Sequence, residues 1–146
     1  MLDAPEFAAP AMGTNELKRQ EAALAENKKP TVFKLRAQML EQGRTDTMLA
    51  ATDDMTLRLK VYASGGENEL HAHTSEDHAF VILQGSACFY GPDGEIMELG
   101  ANEGIMMPAG NFYKFNATSD EPLVLLRIGS PNFSKQPKPT RISIDG

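Results

Sequence analysis

All three histidines of this chain lie within one eight-residue stretch, as His71, His73 and His78. If Leu70–His73 is extended, His71 and His73 point to the same face, because side chains alternate along a strand. Imidazole is the commonest protein ligand for transition metals such as zinc, iron, copper and nickel. The spacing therefore predicts a metal site, but it does not identify a substrate.

Length and composition limit the classes of function that remain open. The chain has 146 residues, a formal charge of −6, a pI near 5.0 and no cluster of Lys or Arg. This length predicts one domain with a buried core. Nucleic acids and anionic membranes both need a basic surface, so neither is an expected partner. Because the sequence has no secretory leader pattern, no long apolar run and one cysteine, Cys88, we expect a soluble cytoplasmic protein.

A short helix is expected after an irregular N-terminal tail. Residues 1–13 are rich in Ala, Pro and Met and show no periodicity. The run Glu16–Glu26 contains strong helix formers, and Pro30 follows where such a helix must end. Leu17 and Leu24 are its only sizeable apolar residues, so we expect the helix to pack loosely or across a dimer interface.

The pattern of the rest of the chain predicts an all-β sandwich or barrel, because short β-like runs alternate with turns rich in Gly, Pro, Asn and Asp. The predicted strands are Thr56–Tyr62, Leu70–His73, His78–Leu83, Ser86–Tyr90, Ile96–Leu99, Gly104–Pro108, Tyr113–Asn116 and Leu123–Ile128. We divide the chain into a tail and helix (residues 1–30), a β-barrel (31–130) and a C-terminal extension (131–146). The extension is expected to wrap the surface or to end in one edge strand at Arg141–Ile144.

The spacing around the histidines resembles the first motif of the cupin family. That motif is Gly, five residues, His-x-His, three or four residues, Glu, six residues and Gly. Gly65, His71, His73 and Gly85 match it, and the Glu position holds His78. The second motif is Pro-x-Gly-x-x-His, preceded by a Gly-containing turn. Gly104, Pro108 and Gly110 match it, and Tyr113 occupies the position of the His.

This resemblance covers the central two-thirds of the chain when the strand pattern is included. It implies an all-β double-stranded β-helix, the cupin or jelly-roll barrel, with a short N-terminal helix. It also implies one divalent transition metal per chain, which would be Fe, Zn, Ni or Mn. By the resemblance His71 and His73 inherit the ligand role, and His78 takes the position of the motif Glu in a three-His site.

Two further residues near this site have open roles. Tyr113 could be a fourth, phenolate ligand, a hydrogen-bond donor to substrate or dioxygen, a general acid/base, or an aromatic side chain filling the barrel mouth. A carboxylate of Glu76 or Asp77 could join the metal shell if the loop register differs by one or two residues.

The resemblance implies a metal-dependent enzyme acting on a small-molecule substrate. Our first hypothesis is a non-haem Fe(II) dioxygenase-like activity at the three-His site. Alternatives are a Zn, Ni or Mn isomerase, lyase or cyclase in which Tyr113 donates a proton, and a non-catalytic small-molecule-binding cupin. A homodimer is expected by analogy with the fold, with the helix at Thr14–Asn27 and the segment Pro131–Pro139 as exchange elements.

The strand Thr56–Tyr62 also carries charges that alternate with apolar residues. Arg58, Lys60 and Arg127 could meet an anionic substrate if their strand faces turned inward, but surface charges in solvent are the usual outcome. We therefore expect these cations, and the pair Glu67 and Glu69, to lie in solvent.

Overall fold

The structure of this chain is a computed structural model that describes residues 6–7, 14–26, 28–131 and 141–143. Within these ranges it contains one helix and twelve short strands. Their bounds are β1 Glu6–Phe7, α1 Thr14–Glu26, β2 Gln38–Met39, β3 Arg44–Ala51, β4 Thr56–Tyr62, β5 Gly66–His73, β6 Glu76–Gln84, β7 Ala87–Tyr90, β8 Ile96–Leu99, β9 Gly104–Met107, β10 Tyr113–Ala117, β11 Leu123–Pro131 and β12 Arg141–Ser143. No helix in this part of the chain is long and apolar enough to cross a membrane.

Two five-stranded antiparallel sheets face each other. One has the strand order β12-β5-β10-β7-β8, and the other has the order β3-β4-β11-β6-β9. Strands that neighbour each other in sequence therefore often lie in opposite sheets, as β5 and β6 do. This arrangement confirms the predicted all-β double-stranded β-helix with one short helix.

Several elements differ from the strands predicted along the chain. The strand β3 was not predicted, and β5 begins at Gly66 rather than at Leu70. Part of the predicted tail, Glu6–Phe7, forms a two-residue strand that pairs in parallel with β2. The predicted C-terminal edge strand is present as β12, which pairs with β5.

The main hydrophobic core lies between the two sheets. Phe89 and Phe115 stack there with ring centroids 4.9 Å apart, and Phe80 packs against both rings. Each large apolar side chain buried in this way contributes about 1.5–3 kcal/mol. The other buried members of this core are Tyr62, Ile82, Ala87, Met107, Tyr113, Leu123 and Leu125.

A second hydrophobic cluster lies on the outer face of the β3-β4-β11-β6-β9 sheet. Leu59 and Val61 of β4 and Val124 of β11 are buried there against Ala37, and Leu35 packs against the same cluster. The apolar face of β4 is thus covered by the segment that precedes the barrel. Its polar face must then point between the sheets, because successive side chains alternate.

This orientation corrects the expectation for the charged residues. Lys60 and Arg127 are buried, and Arg58 is largely buried, so these cations face the interior and not solvent. Glu67 is drawn in with them, since its Oε1 lies 3.3 Å from Nζ of Lys60 and accepts a hydrogen bond from the Tyr62 hydroxyl at 3.2 Å. Glu69 alone is exposed, as expected.

The helix α1 packs against β3 of the same chain. Leu17 is 5% exposed and anchors the helix, whereas Leu24 is only partly buried. One well-buried leucine on an otherwise polar helix agrees with the thin apolar face predicted from the sequence.

Candidate metal centre

The histidines come from two strands that lie in opposite sheets. His71 and His73 are on β5, where the alternation of side chains points both toward the interior. His78 is on β6, after the short connection through Thr74 and Ser75. Because this connection crosses from one sheet to the other, it brings residues from facing sheets to one end of the barrel.

The three imidazoles lie close together at that end. The ring centroids of His73 and His78 are 4.3 Å apart, and those of His71 and His73 are 5.2 Å apart. His71 and His78 are buried, and His73 is half-buried. The half-buried imidazole of His73 is therefore the one nearest the mouth of the barrel.

Glu76 joins two of these histidines in the group best placed to hold a metal ion. Among the described residues, ligand atoms of His73, Glu76 and His78 all lie within 4.8 Å of one another. His71 is adjacent but is not a member of this group. Its Nδ1 lies 2.8 Å from the carbonyl oxygen of Glu69, which can only accept, so Nδ1 carries the proton in this contact.

The environment of His78 keeps its imidazole neutral. Burial lowers the pKa of His78 to about 4, and the positive charge of Arg127 acts in the same direction, although Glu76 raises it. Nη2 of Arg127 lies 2.5 Å from Nε2 of His78 and, being a guanidinium nitrogen, donates the hydrogen bond. The Nε2 atom therefore presents a lone pair, which is the form of histidine that binds metals.

Glu76 is held as a carboxylate. Burial raises the pKa of Glu76, but its interaction with His78 and the charge of Arg127 lower it below its ordinary value. Its Oε2 lies 3.3 Å from Nε2 of His78 and 3.7 Å from Nη2 of Arg127. The neighbouring Asp77 is not part of this arrangement, because its Oδ1 accepts a hydrogen bond from the backbone N–H of Ala109 at 2.8 Å.

Tyr113 lies beside the histidines on the opposite strand of the ladder. It pairs with His71 across β10 and β5, and the two ring centroids are 4.4 Å apart. The Tyr113 ring is 6.2 Å from that of His73 and 5.8 Å from that of Phe80. Tyr113 and Phe80 thus form an apolar wall on one side of the histidines.

Two residues of this site were missed or left open by the sequence. Glu76 was only one of two carboxylate candidates, and Arg127 was expected in solvent. Arg127 does carry a sequence signal, because it is the single charged residue in the otherwise apolar run from Leu123 to Ile128. A lone arginine in a buried strand indicates a partner or a ligand, since burying an unpaired charge is costly.

The donor set suits a divalent transition metal. Two imidazole nitrogens and one carboxylate oxygen are ligands for iron, zinc, nickel and manganese, and three protein ligands leave coordination positions for other molecules. His73, Glu76 and His78 therefore fit the metal that the fold implies. Arg127 now contacts Nε2 of His78, the atom that would bind the ion, so it would have to release that nitrogen and would remain beside the Glu76 carboxylate.

Sequence and structure comparisons place this chain among known folds. The sequence model of the cupin domain family matches residues 58–129, which run from β4 to β11. No curated protein matches the chain significantly.

Many solved structures share the fold at low sequence identity. An uncharacterized conserved protein with a double-stranded β-helix domain from Klebsiella pneumoniae is 14% identical, with a TM-score of 0.60 over 73% of this chain and 88% of that one. A cupin superfamily protein from Desulfitobacterium hafniense is 22% identical, with a TM-score of 0.55 over 65% of this chain and 83% of that one. A cupin-superfamily sugar phosphate isomerase from Silicibacter pomeroyi is 19% identical, with a TM-score of 0.55 over 65% of this chain and 59% of that one. The family match and the shared barrel together identify this chain as a member of the cupin superfamily.

Proposed function

We propose that this protein is a metal-dependent cupin enzyme that acts on a small organic substrate, with dioxygenase-like chemistry at ferrous iron as the reaction. The observation that carries the proposal is the approach of ligand atoms of His73, Glu76 and His78 to within 4.8 Å. Two histidines and one carboxylate with open positions are the ligand set of non-haem Fe(II) oxygenases. This set differs from the three-His site expected from the sequence, in which His71 takes the place of Glu76.

Different residues at this site would have different roles. His73, Glu76 and His78 would hold the ion, which when bound supplies Lewis acidity and, as ferrous iron, the capacity to react with dioxygen. Phe80 and Tyr113 keep the adjacent volume apolar, which strengthens electrostatic interactions with a bound substrate. Arg127 would keep the ligand carboxylate ionised and the ligand imidazole unprotonated.

Tyr113 is our candidate for a catalytic residue. It is buried beside His71, and its ring lies 6.2 Å from the ring of the metal ligand His73. A phenol at this position would donate a hydrogen bond to substrate or dioxygen, or would move a proton at its hydroxyl oxygen. Replacement by Phe keeps the ring packing and removes only the hydroxyl, so it separates the catalytic role from the structural one.

A second candidate function is a non-redox isomerase, lyase or cyclase with Zn, Ni or Mn. The position of Tyr113 favours it, because Lewis-acid chemistry at a carbonyl needs a nearby proton donor. A sugar phosphate isomerase is among the structures that share the fold, which supports an isomerase as the alternative.

We also propose a homodimer located in the cytoplasm. Ile96 on β8 and Met106 on β9 are 65% and 66% exposed, and they lie on strands at the ends of their sheets. Large apolar side chains exposed at sheet edges favour association with a second copy. Analytical ultracentrifugation over a wide concentration range tests this, and a monomer at every concentration would reject it.

The experiment that tests the enzymatic proposal begins with elemental analysis of untagged protein purified without chelator or added metal. Protein reconstituted with Fe(II) is then supplied with diketones, thiols and catechol-like acids in an oxygen electrode. Dioxygen uptake with at least one compound, abolished in His73→Ala and reduced in Tyr113→Phe, supports the oxygenase. No uptake in any case, together with turnover by the Zn, Ni or Mn form, supports the non-redox enzyme. Protein that takes up no metal on reconstitution would contradict the metal-dependent enzyme and would support the non-catalytic binding cupin.

A further inference from the structure

The interior places two arginines directly opposite each other. Arg58 on β4 and Arg127 on β11 are register partners, and both side chains point between the sheets. Arg127 is 4% exposed and the Arg58 side chain is 19% exposed. Like charges directly opposite in a sheet are destabilising, and burial increases the cost. An anion bound beside the two guanidinium groups would offset this repulsion.

The carboxylates nearby do not satisfy both guanidinium groups. Nη1 of Arg58 lies 3.4 Å from Oδ2 of Asp46, whereas Nη2 of Arg127 lies 3.7 Å from Oε2 of Glu76. The hydrogen bond of Arg127 goes instead to the neutral His78. Lys60 adds a further buried cation, which is paired with Glu67.

One buried donor on each arginine has no hydrogen-bond partner among the described residues. These donors are Nη1 of Arg127 and Nε of Arg58, and the buried hydroxyl of Thr56 is unpaired as well. A buried unpaired donor costs free energy that a ligand would recover. Guanidinium N–H groups are the donors that commonly bind carboxylate oxygens.

The two arginines lie close to the candidate metal ligands, with Gly129 between them. Gly129 pairs with Thr56 of β4 on one side and with His78 of β6 on the other. It lies two residues after Arg127 on β11, so it is on the same face of the sheet as the two arginines. A Cβ at Gly129 would lie 2.7 Å from Oγ1 of Thr56, 3.0 Å from Oε1 of Glu76 and 3.2 Å from Nη1 of Arg127. The hydroxyl, the ligand carboxylate and the unpaired guanidinium nitrogen thus converge on one point.

We infer that Arg127 and Arg58 form a subsite that binds a carboxylate group of the substrate beside the metal centre, so the substrate is a small carboxylic acid. This inference rests on the proposed function for the identity of the site, and it adds the substrate class. Phe80, which pairs with Arg127 on β6, would contact the carbon skeleton next to that carboxylate.

A metal ion at His78 would strengthen this subsite. An ion held by Nε2 of His78 would use the lone pair that now accepts the hydrogen bond from Arg127, so Nη2 would be available to the substrate together with Nη1. The charge of the ion also attracts an anion, so metal and carboxylate each increase the affinity for the other.

Glu21 on the helix α1 lies near the same arginines. Burial raises the pKa of Glu21, and the charges of Arg58 and Arg127 lower it in part. A carboxylate of the chain close to these guanidinium groups competes with a bound carboxylate.

The test is isothermal titration calorimetry of Zn(II)-loaded protein with benzoate, compared with benzamide and with inorganic phosphate. We expect benzoate to bind and benzamide not to bind. Arg127→Gln and Arg58→Gln should each weaken benzoate binding about 10- to 100-fold, the size expected for a charge-assisted hydrogen bond. Glu21→Gln should strengthen it, and Arg19→Gln, which removes an exposed cation of α1, should leave it unchanged.

Arg127→Lys serves if Arg127→Gln does not fold, because it keeps the charge and loses the two-pronged geometry. Absence of benzoate binding, equal affinities in Arg127→Gln and Arg19→Gln, or preferred binding of phosphate would overturn the carboxylate subsite. Zinc content by elemental analysis separates the two proposals. Bound zinc without benzoate binding removes the subsite alone, and benzoate binding by protein that holds no metal removes the proposed enzyme alone.

Discussion

Nη2 of Arg127 donates a hydrogen bond to Nε2 of His78, which is 2.5 Å away. The two residues lie on neighbouring strands, β11 and β6, and both are buried. A guanidinium cannot accept a hydrogen bond, so Nε2 of His78 is the acceptor in this contact. It also connects the candidate metal ligands to the charged interior of the barrel.

The ligand set can be tested by comparing Glu76→Gln with His71→Ala. We expect His73→Ala and His78→Ala to lose bound metal, and Glu76→Gln to weaken metal affinity at least tenfold, on the order reported for perturbed ligand shells. His71→Ala should have a smaller effect, because His71 is outside the close group. Competition titration with a chromogenic chelator measures each affinity.

Asp77→Asn is the matched control for Glu76→Gln, because Asp77 contacts Ala109 and does not belong to the candidate metal-ligand group. It should retain the metal affinity of the unmodified protein. If His71→Ala loses as much affinity as His73→Ala, the three-His set predicted from the sequence is the correct one.

Acid should destabilise the metal-free protein through His78. The pKa of His78 is about 4 in the folded chain and 6.5 in its ordinary state, so the unfolded chain binds the proton first as pH falls. Stability contributed by His78 is therefore present above pH 6.5 and is lost between pH 6.5 and pH 4. The loss is roughly 2–4 kcal/mol.

Urea unfolding of chelator-treated protein at pH 7 and pH 5 measures this loss, and His78→Gln is the matched variant because it cannot titrate. The difference in unfolding free energy between the two pH values should be smaller in His78→Gln. Equal differences in the two proteins would contradict the depressed pKa.

Glu67 should contribute stability that is lost at lower pH. Although burial raises the pKa of Glu67, the charges of Lys60 and Arg44 lower it to about 2, below its ordinary 4.5. Its contribution is therefore complete above pH 4.5 and falls away as pH drops toward 2. With a side chain only 17% exposed, Glu67 contributes on the order of 3 kcal/mol.

We expect Glu67→Gln to lose about 2–4 kcal/mol of unfolding free energy at pH 7, because Lys60 would remain buried without its partner. Glu69→Gln, two residues away and exposed, should change stability by less than about 0.5 kcal/mol. Urea unfolding at pH 7 measures both. The difference between Glu67→Gln and the unmodified protein should shrink at pH 3, and a constant difference would contradict this account.

Gly129→Ala should destabilise the barrel and weaken metal binding together. The added methyl would displace Oγ1 of Thr56 and the carboxylate of Glu76, which lie 2.7 and 3.0 Å from the Cβ position. Overpacking of this kind costs about 1–3 kcal/mol.

Gly100→Ala is the control, because its Cβ would meet only Oε1 of Glu103 at 3.6 Å. Thermal unfolding and metal titration of both variants test the point. A Gly129→Ala protein with the stability and metal affinity of Gly100→Ala would show that the neighbouring side chains move aside without cost.

The sequence alone determined the barrel and the location of its site. Period-2 patterning and turn residues mark the strands, because one buried face requires alternation and a reversal requires particular residues. Gly65 and Gly85 of the cupin motif adopt φ values of +71° and +80°, a region that favours glycine. These requirements depend only on residue types and short spacings. The sequence could therefore predict where His71 and His73 lie.

Only the tertiary structure decided which charges face the site. Alternation in β4 is symmetric between its faces, so it cannot tell whether Leu59 or Lys60 points inward. Ala37 and its neighbours pack on the outer face and bury Leu59 there. Arg58 and Lys60 therefore point into the barrel. That choice depends on packing between segments far apart in the chain.

The same reason explains the ligand set. The sequence placed Glu76 and Asp77 side by side as equal candidates, and only the crossing between the two sheets directs Glu76 toward His73 and His78 while Asp77 contacts Ala109. Residue types and short spacings were therefore enough to predict a candidate metal site. The approach of distant strands decided its composition and its buried arginine, because those contacts form only when the two sheets close on each other.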